Sequence, residues 1–400
     1  ETQIPGFPSP EITHPNIRFQ QAKSLPREMR RTDSMPLRYV KRGQGERDDA
    51  GSAYRPEVFD DGRPRAWNLA KLRSREDPLV VFTLVSQLVV GAFLLLFLGE
   101  KLGLAELAPA AHPALHATLL IALLGVETLA LVLSTLHLGR PHRFYRAFNN
   151  LRYSPVSCEV AAIAVFYNLL GGYTLFTALN DAFAWLPAGW VDTIAALCGW
   201  GAAIAGPAAL FFMSRIYRIA ARPFWNHWQV LTSFYGNMLA LGALAVAMPY
   251  GWAAFAAGGS AAGLMRVAGG LIAAGIALEG LGLVFHVRHL KRVGGEGEAA
   301  HFLQRTDFGY PWIARNSGLF VGGFGAALLV LAGVEHVAVW SALALVVVAT
   351  ALVGRALFYV LVIPTTMPGA FFWRNKGFEE HARATGLASL PQVGVLPCTH

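Results

Sequence analysis

Eight apolar runs, each close to twenty residues, alternate with short polar separators between Leu79 and Ile363. They fall at 79–98, 116–136, 157–179, 191–213, 229–249, 265–286, 317–334 and 338–363. A hydrocarbon core about 30 Å thick takes about 20 helical residues to cross. The pattern therefore predicts an all-α integral membrane protein, an eight-helix transmembrane bundle over residues 78–364, with both ends of the bundle on one side. The separators carry the expected breakers, among them Pro109, Pro113, Pro141, Pro187, Pro223 and the pair Gly294-Gly295. Trp185, Trp190, Trp225, Trp228, Tyr250 and Trp252 gather at run ends, where amphipathic rings favour the membrane interface.

The flanks read differently. Residues 1–77 form a polar extension rich in Pro, Arg and Asp, as in PGFPSPEITHP and KRGQGERDDAGSAYRPEVFDDGRPR, with too few apolar residues to bury a core of its own. We expect mostly irregular chain that orders by docking on a partner subunit. No apolar run of secretory-signal type stands within it. Residues 365–400 form a second polar tail. No internal repeat supports the inverted-repeat architecture of many transporters.

Composition sharpens the class. Only 14% of residues are charged, against about 25% in soluble domains. The 33 Lys and Arg outweigh the 25 Asp and Glu by eight charges, which could suggest nucleic acid. Their placement gives a different explanation. Twenty of the cations between Arg63 and Arg383 fall on one side of the predicted bundle, and only Lys101 and Arg266 fall on the other. Because Lys and Arg are retained on the cytoplasmic side during insertion, both termini are expected in the cytoplasm, and no nucleic-acid partner is needed. Cys158, Cys198 and Cys398 stand far apart with no CxxC, which excludes an iron–sulfur cluster, a c-type haem or a cysteine zinc site held by this chain, and makes a disulfide framework implausible. No bound metal is expected.

Ionisable side chains inside hydrocarbon cost at least about 2.5 kcal/mol each on insertion scales, so those present ask for a reason. Glu127 lies in the second run, Glu159 in the first turn of the third, Glu279 in the sixth and Arg355 in the eighth, with Gln87 and Asn237 adding uncharged polarity. Alternating helix direction brings His137, Glu159, Arg215, Trp225, His227, His286, Arg355 and Tyr359 to a similar depth under the basic loops. A quinone has two carbonyl oxygens to hydrogen-bond and two protons to exchange on reduction. An imidazole titrating near 6.5 beside a carboxylate suits that task. Glu279 and His286, seven residues apart on one helical face, would give a short proton path, with Glu127 a further relay candidate.

The same residues admit plainer readings. His137 can cap the C-terminus of the second helix, Glu159 can sit in the favourable field of a helix N-terminus, and Arg355 can snorkel or pair with a carboxylate. A b-type haem could in principle use His137 with His286 or His227, and a secondary transporter or proton-translocating protein could use Glu127 and Glu279.

The run LSTLHLGRPHRFYRAFNNLRYSPVSCEVAA resembles the segment joining the second and third helices of dimethyl sulfoxide reductase membrane anchor subunits, part of the wider NrfD-like class. Its HLG-x-P, RAFN and following glutamate carry the likeness. PLVVFTLVSQLVVGAF, SRIYR with PFWNHW, and GRALFY echo it in the same order, so the resemblance covers about residues 76–365. It implies eight helices with no haem or metal, anchoring an iron–sulfur subunit and a molybdopterin catalytic subunit in a bacterial or archaeal cytoplasmic membrane. It also implies exchange of electrons with ubiquinone or menaquinone.

On that resemblance His137 and Glu159 are expected to bind quinol, with Arg140, Arg215 and Arg355 completing the candidate set. Glu127 has no counterpart in the family pattern. Two departures stand out: the arginine count places the docking face in the cytoplasm, as in the anchors of sulfite-oxidising complexes, and the long extension is additional. The direction of electron flow, quinol oxidation feeding an S-oxide-type reductase or quinone reduction fed by a sulfite-type dehydrogenase, is open at this point.

Overall fold

The computed structural model describes residues 28–30, 35–43, 46, 54–73, 76–136, 138, 140–187 and 189–365. Among these, eight helices are long and apolar enough to cross a membrane. They follow a four-residue helix α1 (Leu69–Leu72) and are α2 (Asp77–Lys101), α3 (Pro113–Leu136), α4 (Pro155–Ala178), α5 (Trp190–Tyr217), α6 (Gln229–Ala256), α7 (Ala262–Val293), α9 (Gly309–Leu331) and α10 (Val337–Val360). A short polar helix α8 (Gly295–Arg305) stands between α7 and α9.

Their ends obey local chemistry. Pro78 opens α2, and Pro155 opens α4 behind Ser154, whose hydroxyl accepts from the Ser157 amide at 3.3 Å. Gly294, at φ 67°, turns the chain from α7 into α8 in a conformation that favours glycine. Helix α7 runs well past the predicted 265–286, because its last turns carry Arg288, Lys291 and Arg292 on the polar side of the interface.

Two helices form the centre. In α2 and α6, 72% of the apolar stretch is buried inside the protein, against 17–39% in the other six. Helix α4 pairs with α5, α6 with α7 and α9 with α10, while α3 and α10 also lie against α2. The α2–α6 crossing is made by glycine: a Cβ on Gly91 would collide with the Met238 carbonyl, and one on Gly242 with the Gly91 backbone. Lipid offers no hydrophobic drive between helices, so this close backbone approach supplies the contact that packing must provide.

The arginine-rich end carries a second, smaller core. Strands β1 (Glu28–Arg30), β2 (Leu37–Lys41) and β3 (Tyr54–Val58) form an antiparallel sheet in that order, with Leu37 opposite Val58 and Tyr39 opposite Pro56. Leu37 and Tyr39 are buried with Ala299, Ala300 and Leu303 of α8, Leu290, Phe308 and the end of α10. The Tyr39 hydroxyl donates to Glu296 at 3.2 Å. Downstream, Arg63 bridges Asp61 and Asp307, and its hydrogen bond holds the Asp61 carboxyl below the usual carboxylate range. Ala66 joins the α8–α9 turn through Thr306 and Tyr310. Part of the polar extension is thus built onto this chain's own helices.

Candidate functional site

Under the arginine-rich loops, α2, α3, α4 and α5 enclose a cavity of about 510 Å³. Its walls are mostly apolar, with Phe82, Leu131 and Ile163 among them, and Phe144 and Phe148 descend from the 3-10 segment Pro141–Asn150 that roofs it. That segment buries none of its residues within this chain. Helices α3 and α4, which supply much of the lining, carry exposed Val132 and Val156.

Glu159 is the one ionisable acid in the wall. It is buried, and among the described residues no donor lies within hydrogen-bonding distance of its carboxyl. Of the other polar groups of the wall, Thr135 donates to the Leu131 carbonyl at 2.9 Å, Tyr167 meets Thr128 at 2.8 Å and Asn168 donates to the Ala164 carbonyl at 2.8 Å, while the Ser134 side chain also lines the cavity. Such a carboxyl is available to a ligand and not committed to the fold. An N-cap serine and a proline open α4 two residues before the predicted start, which carries Glu159 just past the first turn and not within it, and its side chain lines the cavity. His137 lies outside the described residues; Thr135 and Leu138, on either side of it in sequence, both line the cavity.

Behind the wall a polar chain crosses the bundle. Tyr217, which lines the cavity, shares a 2.6 Å hydrogen bond with Tyr359. One turn before Tyr359, Arg355 is buried, donates to Gln87 at 3.0 Å and stacks 4.2 Å above the Phe234 ring. Glu279 accepts from Ser233 at 3.1 Å, and its carboxylate and the Arg315 side chain both pass Gly354, where a Cβ would lie 3.8 Å from the former and 3.4 Å from the latter. Arg355 also retains two buried nitrogens without a partner among the described residues.

The candidates named from sequence therefore separate. Glu159 is in the wall of the cavity. Arg355 stands one layer behind, with Glu279 beyond it. Arg140 and Arg215 are exposed at the loop face and do not line the cavity, since each occupies a helix end that turns its side chain to solvent. Glu127 is fully buried and accepts from Ser86 at 2.9 Å, away from the cavity. His286 is on the far side of the bundle, its Nε2 2.7 Å from the Phe224 carbonyl.

His286 stacks on His227 with ring centroids 5.5 Å apart, and His289 lies against His227 at 4.7 Å. His227 accepts the Gln229 amide at 3.1 Å. Burial, then the charges of neighbouring His289 and Arg218, pushes its pKa down to about 4. Both haem pairings weighed from the sequence use His137, which lies outside the described residues.

Tyr217, Phe144 and Phe148 were not anticipated as wall residues. The signal was present in part: the aromatic spacing of RFYRAF places two rings of one short segment on one side.

A family model described as DMSO reductase anchor subunit (DmsC) matches residues 73–361, more than two thirds of the chain. The protein is also 32% identical over 165 residues to an anaerobic dimethyl sulfoxide reductase subunit of Haemophilus influenzae, covering 40% of this chain and 53% of that protein. It is 27% identical over 172 residues to the anaerobic dimethyl sulfoxide reductase subunit YnfH of Escherichia coli K12, covering 43% and 56% respectively. The chain spans about half the length of the curated relatives it matches.

Proposed function

The chain belongs to the DMSO reductase anchor subunit family, and from that premise we propose that it is the quinone-reactive anchor of a molybdopterin and iron–sulfur oxidoreductase. The observation that carries this reading is the placement of Glu159, a buried carboxyl without a hydrogen-bond partner among the described residues, in a cavity of about 510 Å³ between lipid-facing helices. A quinone ring is apolar and flat, and its two oxygens need hydrogen-bonding groups. The phenylalanine and leucine walls suit the ring, the exposed apolar faces of α3 and α4 suit the isoprenoid tail, and Glu159 serves one oxygen. His137, which follows α3 in sequence, is assigned to the other.

Oxidation of a bound quinol would release two electrons, which an iron–sulfur subunit docked at this face would accept, and two protons from the ring hydroxyls. Glu159 takes one proton and His137 the other. Tyr217, Tyr359, Arg355 and Glu279 line a route for a proton from the cavity wall across the bundle, with the two hydroxyls and the carboxyl as exchanging groups and the Arg355 guanidinium setting the charge between them. His286 stands beyond this route toward the loop face, and Glu127 takes no part in it. The names of the relatives favour quinol oxidation feeding reduction of an S-oxide over the opposite direction. The exposed aromatic and arginine side chains of Pro141–Asn150 suit the contact with an iron–sulfur subunit, whose molybdopterin partner performs the substrate chemistry. The arginine asymmetry supports a cytoplasmic docking face in a bacterial or archaeal cytoplasmic membrane.

Glu159→Gln and His137→Asn are each expected to lower quinol-linked turnover of the assembled complex at least tenfold, while turnover with an artificial dye that bypasses the membrane persists. A parallel fall in both assays would mean that these residues hold the assembly together, and the proposal would fail.

A further inference from the structure

On the opposite side of the bundle from Glu159, helices α7, α8 and α9 bound a second cleft, about 470 Å³ in volume. Its polar lining is one-sided. Arg288, Arg315, Gln304, Asn316 and Trp312 face it together with His286, and among the described residues no aspartate or glutamate does. The indole nitrogen of Trp312 is buried and has no hydrogen-bond partner among the described residues. A buried donor left unmade costs about 1–3 kcal/mol, so an acceptor at that point would recover a loss the fold otherwise carries.

Arg315 is buried and gives two of its nitrogens to the Asn316 side-chain oxygen at 3.1 and 2.9 Å, which fixes the guanidinium plane while leaving further N–H groups to point elsewhere. Glu279 lies behind Arg315 near Gly354 and offsets part of its charge. Arg288 has no ion pair among the described residues and lies 5.5 Å over the Phe285 ring.

The rest of the lining is Gly280, Leu283, Val284, Val287 and Leu319, and the surface beside it carries exposed Leu281, Val284, Phe285 and Phe320. The cleft is therefore cationic at its loop end and apolar toward the bilayer. That polarity is the polarity of a phospholipid: an anionic head at the interface and acyl chains running inward along the helices. Basic pockets between transmembrane helices are suited to such heads, and guanidinium binds phosphate through paired hydrogen bonds.

We propose that this cleft is a binding site for the phosphate headgroup of an anionic phospholipid, held by Arg288, Arg315 and the Trp312 indole N–H, with its chains in the groove between α7 and α9. The site is separate from the cavity at Glu159 and does not rest on the quinone reading.

The test uses the full chain, purified with its associated subunits and reconstituted in phosphatidylcholine with or without phosphatidylglycerol. In native mass spectrometry the wild type is expected to retain one phosphatidylglycerol through detergent exchange, and phosphatidylglycerol is expected to raise its thermal midpoint. Trp312→Phe and Arg288→Gln are expected to reduce the retained lipid at least fivefold. Arg266→Gln, which removes a cation at the other end of α7, is expected to retain it as the wild type does. Equal retention in all four proteins would overturn the proposal. So would equal protection by inorganic phosphate in phosphatidylcholine alone, since that would mark a site for a free anion. Glu159→Gln is expected to keep the lipid at the wild-type level whatever its turnover, so the failure of either reading is seen without the other.

Discussion

Single side chains in this protein divide by whether the fold has already used them. Glu127 accepts from Ser86 through one oxygen, the other staying buried without a partner among the described residues, and Glu279 accepts from Ser233, whereas Glu159 has neither bond among those residues. Sequence identifies all three as expensive in lipid but does not rank them, because the ranking depends on a neighbour from another helix. His301 illustrates a titratable group whose environment has a measurable consequence. It is buried on α8, and burial, followed by the charges of Arg305 and Lys291, pushes its pKa down to about 4.

The ordinary imidazole value is near 6.5, so between about 6.5 and 4 the unfolded chain takes up a proton that the folded chain refuses. Folding stability is therefore expected to fall as pH drops from about 6.5 toward 4, and to level off below that. His227 acts in the same direction. Thermal midpoints in detergent across this range should show the decline, and His301→Gln should make it shallower; an unchanged slope would mean that His301 is not buried in solution.

At the scale of elements, the membrane helices were legible because bilayer thickness imposes a length on each apolar run, and each run overlaps one observed helix. Their pairing was not. Helices apolar on every face look alike in sequence, and what selects the α2–α6 crossing is the absence of side chains at Gly91 and Gly242. The small sheet was equally hidden, although LRYVK alternates Leu37 and Tyr39 with Arg38 and Val40, the period of a half-buried strand. Five residues of that pattern inside a long polar segment are too few to stand out, and the strand is stable only because α8 and the end of α10 supply the opposing core.

Leu37→Ala removes a fully buried side chain from that core. Such truncations cost about 2–5 kcal/mol, comparable to what a small peripheral layer gains from docking. The substitution is expected to release the sheet while leaving the bundle intact. Limited proteolysis would then cut near residues 54–66 in the variant and spare the wild type, with the transmembrane helices uncut in both.

For the whole molecule, the distribution of cations is the strongest directional feature. The end that bears the small sheet, α8 and the segment Pro141–Asn150 also bears nearly all the arginine. This end is expected to face the cytoplasm. In intact cells a membrane-impermeant thiol reagent should label Lys101→Cys and spare Arg222→Cys, with both labelled after permeabilisation. The reverse pattern would place the docking face outside. The candidate cavity was half legible at this scale: the family-like loop, which holds Phe144 and Phe148, and Glu159 marked its position, but its far wall at Tyr217 comes from a distant segment and joins it only when α5 packs against α4.

The enclosure of α2 has a consequence for biosynthesis. This helix is made well before α6, its principal neighbour, and translation from Lys101 to Gln229 at about 5–20 residues per second takes on the order of ten seconds. Throughout that interval Gln87 has no guanidinium to receive, because Arg355 belongs to α10, which emerges later still. The nascent chain must keep a polar amide among lipid tails until the span bearing Arg355 arrives, so the loss of α10 would leave α2 the helix most in need of a chaperone.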